Sequence, residues 1–197
     1  ASARSNGGVR ILFSQPESIH MSQFGNEFYA GFCETMRVND EPAQLDLFRK
    51  GYMLMGTDPQ HVEDMQLNLE VQRQLGCNVE VYDRDSLKRK FPALNTEDVL
   101  MAVRSPHDMW IDPYSAVTGL MRKARALGAE LKPGRVVGIE QDAQRISSVR
   151  LEDGTSVSGE WVLNTTGAWA PELCRMCGFD IPVKPLPMMV FYFELQS

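Results

Sequence analysis

Apolar residues recur at helical spacing in three stretches of the first 128 residues and then change to short alternating runs. Ile19, Phe24, Phe28 and Phe32 predict a helix over about 16–36, with Ser14-Gln15-Pro16-Glu17 at capping-box spacing and Pro16 in the first turn. Gly51–Met55 reads as a short apolar strand. Thr57-Asp58-Pro59 then caps a second helix that runs to Leu75 and stops at Gly76. Asn78–Tyr82 is a further strand, Asp83 or Asp85 caps a short helix ending near Phe91-Pro92, and Val99–Val103 is extended. A third long helix follows Trp110. Asp112 is its N-cap, Pro113 its first turn, Val117, Leu120, Met121 and Ala124 its apolar face, and Gly128 its end.

Beyond Gly128 the pattern predicts strands at Ala129–Leu131, Arg135–Glu140, Ile146–Glu152 and Thr155–Thr165, with Pro133-Gly134 and Asp153-Gly154 as turns. Ala170–Cys177 reads as a short helix closed by Gly178. Met188–Leu195 reads as an apolar strand whose sheet is expected to be unfinished.

Composition narrows the classes. With 43% apolar residues the chain is an ordinary globular one, and 20 Lys plus Arg against 26 Asp plus Glu, a net charge of −6, leave no basic surface for nucleic acid. No apolar run approaches the roughly 20 residues of a membrane-spanning helix, and no signal peptide opens the chain, so a cytoplasmic setting is the default expectation. Four cysteines are too few for a disulfide scaffold. An opening Ala1 in place of Met points to a chain that is processed, cut or partly observed.

Two segments carry candidate chemistry. In Ser2–Arg10 (S-A-R-S-N-G-G-V-R), paired glycines permit close backbone approach to a ligand while Ser and Asn offer donors; a surface turn is the plainer alternative. Asn164-Thr165-Thr166-Gly167-Ala168-Trp169 follows an apolar strand, where an open α/β sheet presents ligands, although such a Gly also serves a simple turn. His20, His61 and His107 lack metal-site spacing, so no metal is predicted, and Cys174-Arg175-Met176-Cys177 is read as two packing cysteines in preference to a redox pair.

Taken together with the segments between them, these motifs resemble the D-amino-acid oxidase and sarcosine oxidase family of FAD-dependent oxidoreductases. The resemblance rests on S-N-G-G-V-R at Ser5–Arg10, W-I-D-P-Y at Trp110–Tyr114, Gly128-Ala129, R-V-V-G-I-E at Arg135–Glu140, E-D-G-T at Glu152–Thr155 and N-T-T-G-A-W-A at Asn164–Ala170, and covers essentially the whole chain. It implies an α/β (α+β) fold made of part of a FAD-binding domain, residues 1–36 and 114–178, and part of a substrate domain, residues 37–113 and 179–197, with a largely antiparallel sheet flanked by helices. It implies FAD as cofactor, with Ser5, Asn6, Gly7 and Gly8 along the isoalloxazine, Val136 at the adenine, and Thr166, Gly167 and Trp169 at a turn against the cofactor. Arg10 is implied as the catalytic cation that stabilises the reduced flavin. The implied reaction oxidises a C–N bond of an amine or amino acid; a non-catalytic binding or assembly module on the same fold is the alternative.

The chain departs from the family pattern in two ways. It contains no G-x-G-x-x-G turn, so both ends of such an enzyme are expected outside these residues, with another chain as one potential source of the missing parts. Sarcosine oxidase-like members place a second Arg three residues after the one matching Arg10, to hold a substrate carboxylate. Phe13 stands there in this chain, which favours an amine over an amino acid, or a carboxylate held by residues outside this chain.

Overall fold

Strand β5 (Met101–Ser105) shows why the first half of the chain folds as it does: four of its five residues are buried and only Arg104 is partly open. A strand covered on both faces reads as a continuous apolar run, and β5 lies in the middle of a three-stranded antiparallel sheet between β3 (Tyr52–Gly56) and β4 (Glu80–Tyr82). The computed structural model describes residues 5–142, 145–187 and 189, and the chain divides into two compact units, 1–129 and 130–197. All the ladders described are antiparallel, in a mixed α/β arrangement.

Within the first unit, α3 (Pro59–Gln74) brings Met65 and Leu69 onto Met101 and Val103 together with Leu12, and Leu87 of α4 (Arg84–Lys90) packs with Val99 and Ala102. Local rules set both helices. The Asp58 carboxylate accepts from the His61 N–H at 2.8 Å, and Asp83 forms a reciprocal capping box with Ser86. The second sheet of this unit orders β1 (Gly8–Val9), β6 (Met109–Ile111) and β2 (Leu47–Phe48). Its inner side joins Met109, Ile111, Val9 and Leu47 to Ala116 of α5 (Pro113–Ala126). Asp112 caps α5 as predicted, accepting from the Tyr114 and Ser115 N–H groups, and the Ser115 hydroxyl bond first, then these backbone bonds, hold its carboxyl below the usual range.

Several expectations are corrected. The predicted helix over 16–36 is two helices, α1 (Pro16–Ala30) and α2 (Phe32–Thr35), interrupted at Gly31. Ser14 forms no capping box, because the residue before a proline is held extended; Gln15 has φ −94° and ψ 130° and becomes the N-cap without a side-chain bond. Phe24 is 69% exposed: it stands five residues from buried Ile19, about 140° off that face at 100° per residue.

The second unit contains a meander of β7 (Val136–Gln141), β8 (Ile146–Leu151) and β9 (Ser156–Ser158), followed by α6 (Ala170–Met176). The Asp153-Gly154 hairpin forms, with Leu151 N–H donating to the Thr155 carbonyl at 2.8 Å. Ala129–Leu131 is not a strand, the Pro133-Gly134 stretch is irregular, and of Thr155–Thr165 only Ser156–Ser158 joins a ladder. Trp161 and Leu163 are 92% and 86% exposed, so β-propensity there is not met by any partner among the described residues. The predicted strand Met188–Leu195 lies outside the described residues, Met189 excepted.

Candidate functional site

In the first unit the site begins with the loop entering β1. Ser5 Oγ accepts from the Gly7 N–H and Asn6 Oδ1 from the Gly8 N–H, each at 3.3 Å, so both side chains serve their own turn. Gly7 has φ +72°, and a Cβ there would lie 2.0 Å from the Ile111 carbonyl oxygen, whose own N–H donates to the Gly7 carbonyl at 3.0 Å. Glycine at this position is demanded by the neighbouring backbone.

Gly8 is different. It stands opposite Trp110, which in turn stands opposite Phe48, and the two aromatic rings lie 5.4 Å apart, about half exposed. Side chains alternate across a sheet, so Gly8, Trp110 and Phe48 form one open face while Val9, Met109 and Ile111 form the core face. A Cβ on Gly8 would meet Asn6 and the Tyr52 ring at 3.7 Å, an ordinary contact. The Arg10 guanidinium sits over Phe13 at 4.6 Å and Tyr52 at 5.5 Å from their ring centroids. The result is a bare strip of backbone edged by aromatic rings and one cation, a surface suited to a flat ring system.

Behind it lies Asp108, which the sequence reading missed. It is fully buried in the turn between β5 and β6. Its Oδ2 accepts from the Ile11 N–H at 3.0 Å and its Oδ1 from the Ser105 hydroxyl at 2.8 Å. Burial pushes its carboxyl above the usual range, partly offset by these bonds and by the Arg10 charge, while burial and Asp108 together raise the Cys77 thiol. The signal available was one acid in the apolar run between β5 and Ile111; its partner is 97 residues distant.

In the second unit, Asn164 Oδ1 accepts from the Thr166 N–H and hydroxyl, and Asn164 Nδ2 donates to the Ala170 carbonyl at 3.0 Å. This tie shapes the 3₁₀ turn Gly167–Trp169. Gly167 has φ +59° and nothing within 4 Å of where a Cβ would stand, so its backbone is open to a ligand, and Trp169 beside it is 56% exposed. Val136 is half-buried on the edge strand of the meander. A cavity of about 500 Å³ between the meander and α6 is lined by Ile139, Arg145, Asn164, Cys174 and Phe179, among others, but not by Val136, Thr166, Gly167 or Trp169. Cys174 is buried and Cys177 half-buried, both as free thiols. Among the described residues no group of three or more His, Cys, Asp or Glu is placed to hold a metal ion, and no helix is long and apolar enough to cross a membrane.

The model of the FAD dependent oxidoreductase (DAO) family matches residues 1–196. The chain belongs to this family. Its cofactor class is therefore FAD; taken separately, the open backbone at Gly8 in the first unit and that at Gly167 in the second are each compatible with such a group, whereas the Cβ side of Gly7 is closed by protein. Among relatives, FAD-dependent oxidoreductase domain-containing protein 1 of Bos taurus is 29% identical over 219 residues, covering 95% of this chain and 45% of the relative. Mitochondrial dimethylglycine dehydrogenase of Rattus norvegicus is 28% identical over 152 residues, covering 76% of this chain and 18% of the relative. Among solved structures, L-proline dehydrogenase from P. horikoshii superposes with TM-score 0.77 at 24% identity, covering 90% of this chain and 46% of that one. Glycine oxidase from Geobacillus kaustophilus gives TM-score 0.77 at 19% identity, with 94% and 50% covered. The chain thus spans less than half the length of the first of these curated relatives.

Proposed function

We propose that the protein is a flavoenzyme that oxidises a C–N bond of an amine or amino acid. The observation that carries this reading is the family match across residues 1–196, supported by the aromatic-edged face around Gly8 and by relatives whose names specify dimethylglycine, proline and glycine. When bound, FAD supplies the redox chemistry by accepting hydride from the carbon next to nitrogen.

The chain's own residues bind and tune. Ser5, Asn6, Gly7 and Gly8 shape the strand edge that meets the ring, Gly7 by fixing the turn and Gly8 by leaving the surface bare. Arg10 is the charged group beside the ring, where a cation favours the electron-rich reduced form. In the second unit, Val136 offers edge-strand backbone to the adenine, and Thr166, Gly167 and Trp169 meet the cofactor at their turn. Residues 1–36 and 114–178 belong on this reading to the cofactor domain, and 37–113 and 179–197 to the substrate domain. Phe13 lies against the Arg10 guanidinium, which leaves no second cation at that position for a carboxylate and favours an amine substrate.

The intact gene product containing this chain is expected to purify yellow, with flavin absorbance. A colourless folded protein that takes up no added FAD would end the reading. In the loaded protein Arg10→Ala is expected to lower the flavin reduction potential without loss of FAD; an unchanged potential places Arg10 away from the ring. Anaerobic mixing with a panel of secondary and tertiary amines and amino acids should bleach the flavin, whereas a loaded protein that none of them reduces would favour the assembly module.

A further inference from the structure

We infer that Asp108 is a positioning residue for the Arg10 cation, holding from one buried point both the segment after β1 that carries Arg10 and the segment that carries the aromatic ring beside it. The inference rests on the reading of Arg10 as the cation next to bound flavin. Asp108 Oδ2 holds the Ile11 N–H, one residue from Arg10, and the Asp108 carbonyl holds the Gly51 N–H at 3.0 Å, one residue from Tyr52. Tyr52 is one of the two rings over which the guanidinium lies. A single residue in the β5–β6 turn therefore sets both sides of the Arg10 site.

The other anchors of this segment do not reach Arg10 so directly. Gln72 of α3 holds the Phe13 carbonyl at 3.0 Å, and the β1–β6 ladder ends at Val9. Between Val9 and Phe13 the Ile11 N–H bond to Asp108 is the described side-chain tie on the backbone donors. Burying a carboxyl group is costly unless its oxygens are used, and here each oxygen accepts one bond while the nearby Arg10 charge acts on it. A residue needed only to close the turn would not require a side-chain acceptor on the Ile11 N–H, outside that turn.

The test uses the FAD-loaded gene product with Arg10→Ala, Asp108→Ala, Asp108→Asn and the Arg10→Ala/Asp108→Ala pair. It reads the flavin reduction potential, exchange of the Ile11 amide and the thermal midpoint. Asp108→Ala is expected to lower the potential in the same direction as Arg10→Ala and to speed Ile11 exchange by about tenfold or more, the loss of one bond to a carboxyl group. Asp108→Asn keeps an acceptor and should restore both, and the pair should lie no lower than Arg10→Ala alone. If Asp108→Ala does not accumulate folded, Ser105→Ala, which releases Oδ1, should give a smaller shift of the same sign. A lowered thermal midpoint with an unchanged potential in a protein whose potential does respond to Arg10→Ala overturns the inference and leaves the proposed function standing. No response to Arg10→Ala overturns the reading on which it rests.

Discussion

Gly7→Ala is expected to cost the first unit about 3–5 kcal/mol, above the roughly 0.5–3 kcal/mol of most substitutions, because a named backbone feature is broken. Two terms add. A non-glycine residue at φ +72° stores about 1–2 kcal/mol of strain, and the new methyl would overlap the Ile111 carbonyl oxygen, a backbone atom that no rotamer can move aside. Relief requires β1 to leave β6, which also breaks the Ile111 N–H bond to Gly7. Urea midpoints measured beside Gly8→Ala provide the contrast, since the Gly8 methyl would meet only ordinary 3.7 Å contacts. Gly8→Ala should hold its stability within about 1 kcal/mol yet weaken FAD retention. Equal midpoints for the two variants would show that the Gly7 contact is not limiting.

Phe32→Ala should be comparably damaging, about 3–5 kcal/mol for a large aromatic truncated in a closed core. Phe32 is fully buried, edge-to-face with Phe28 at 5.7 Å and stacked with Tyr29 at 5.9 Å. Its ring lies so close over Gly119 of α5 that a Cβ there would stand 2.7 Å away, so α2 and α5 have little room to collapse into a cavity. Phe24→Ala, at a 69% exposed position of α1, should shift the thermal midpoint hardly at all. A Phe32→Ala midpoint matching that of Phe24→Ala would place the core elsewhere.

What was legible in the chain follows from how local each cause is. Asp58 and Asp112 cap their helices as read, and Asp83 is the one of the two candidates, Asp83 and Asp85, that caps α4, because each cap needs only backbone within three residues. The central run before Ser105 was likewise recognisable as extended, through its burial on both faces. Strands β1, β2 and β6 were not, since two or three residues carry no periodicity and these exist only by pairing with one another across distant sequence. Ala129–Leu131 and the exposed Trp161–Leu163 stretch show the converse: strand-like composition without a partner. The candidate site divides in the same way. Its glycines were visible, but the open face at Gly8 depends on Trp110 and Phe48 arriving beside it, and Asp108 became visible only through its bond to Ile11.

The pairing of Gly8 with Trp110 also sets an order of events during synthesis. β1 leaves the ribosome about a hundred residues before β6, which at about 5–20 residues per second is a wait of roughly 5–20 s. For that interval the strand bearing Gly8, with Arg10 just beyond it, has no ladder to join, while the caps of α3 and α4 can already form from neighbouring residues. The segment proposed to meet the cofactor is thus made well before the strand that locks it, and a nascent chain halted before residue 109 should leave it open to protease.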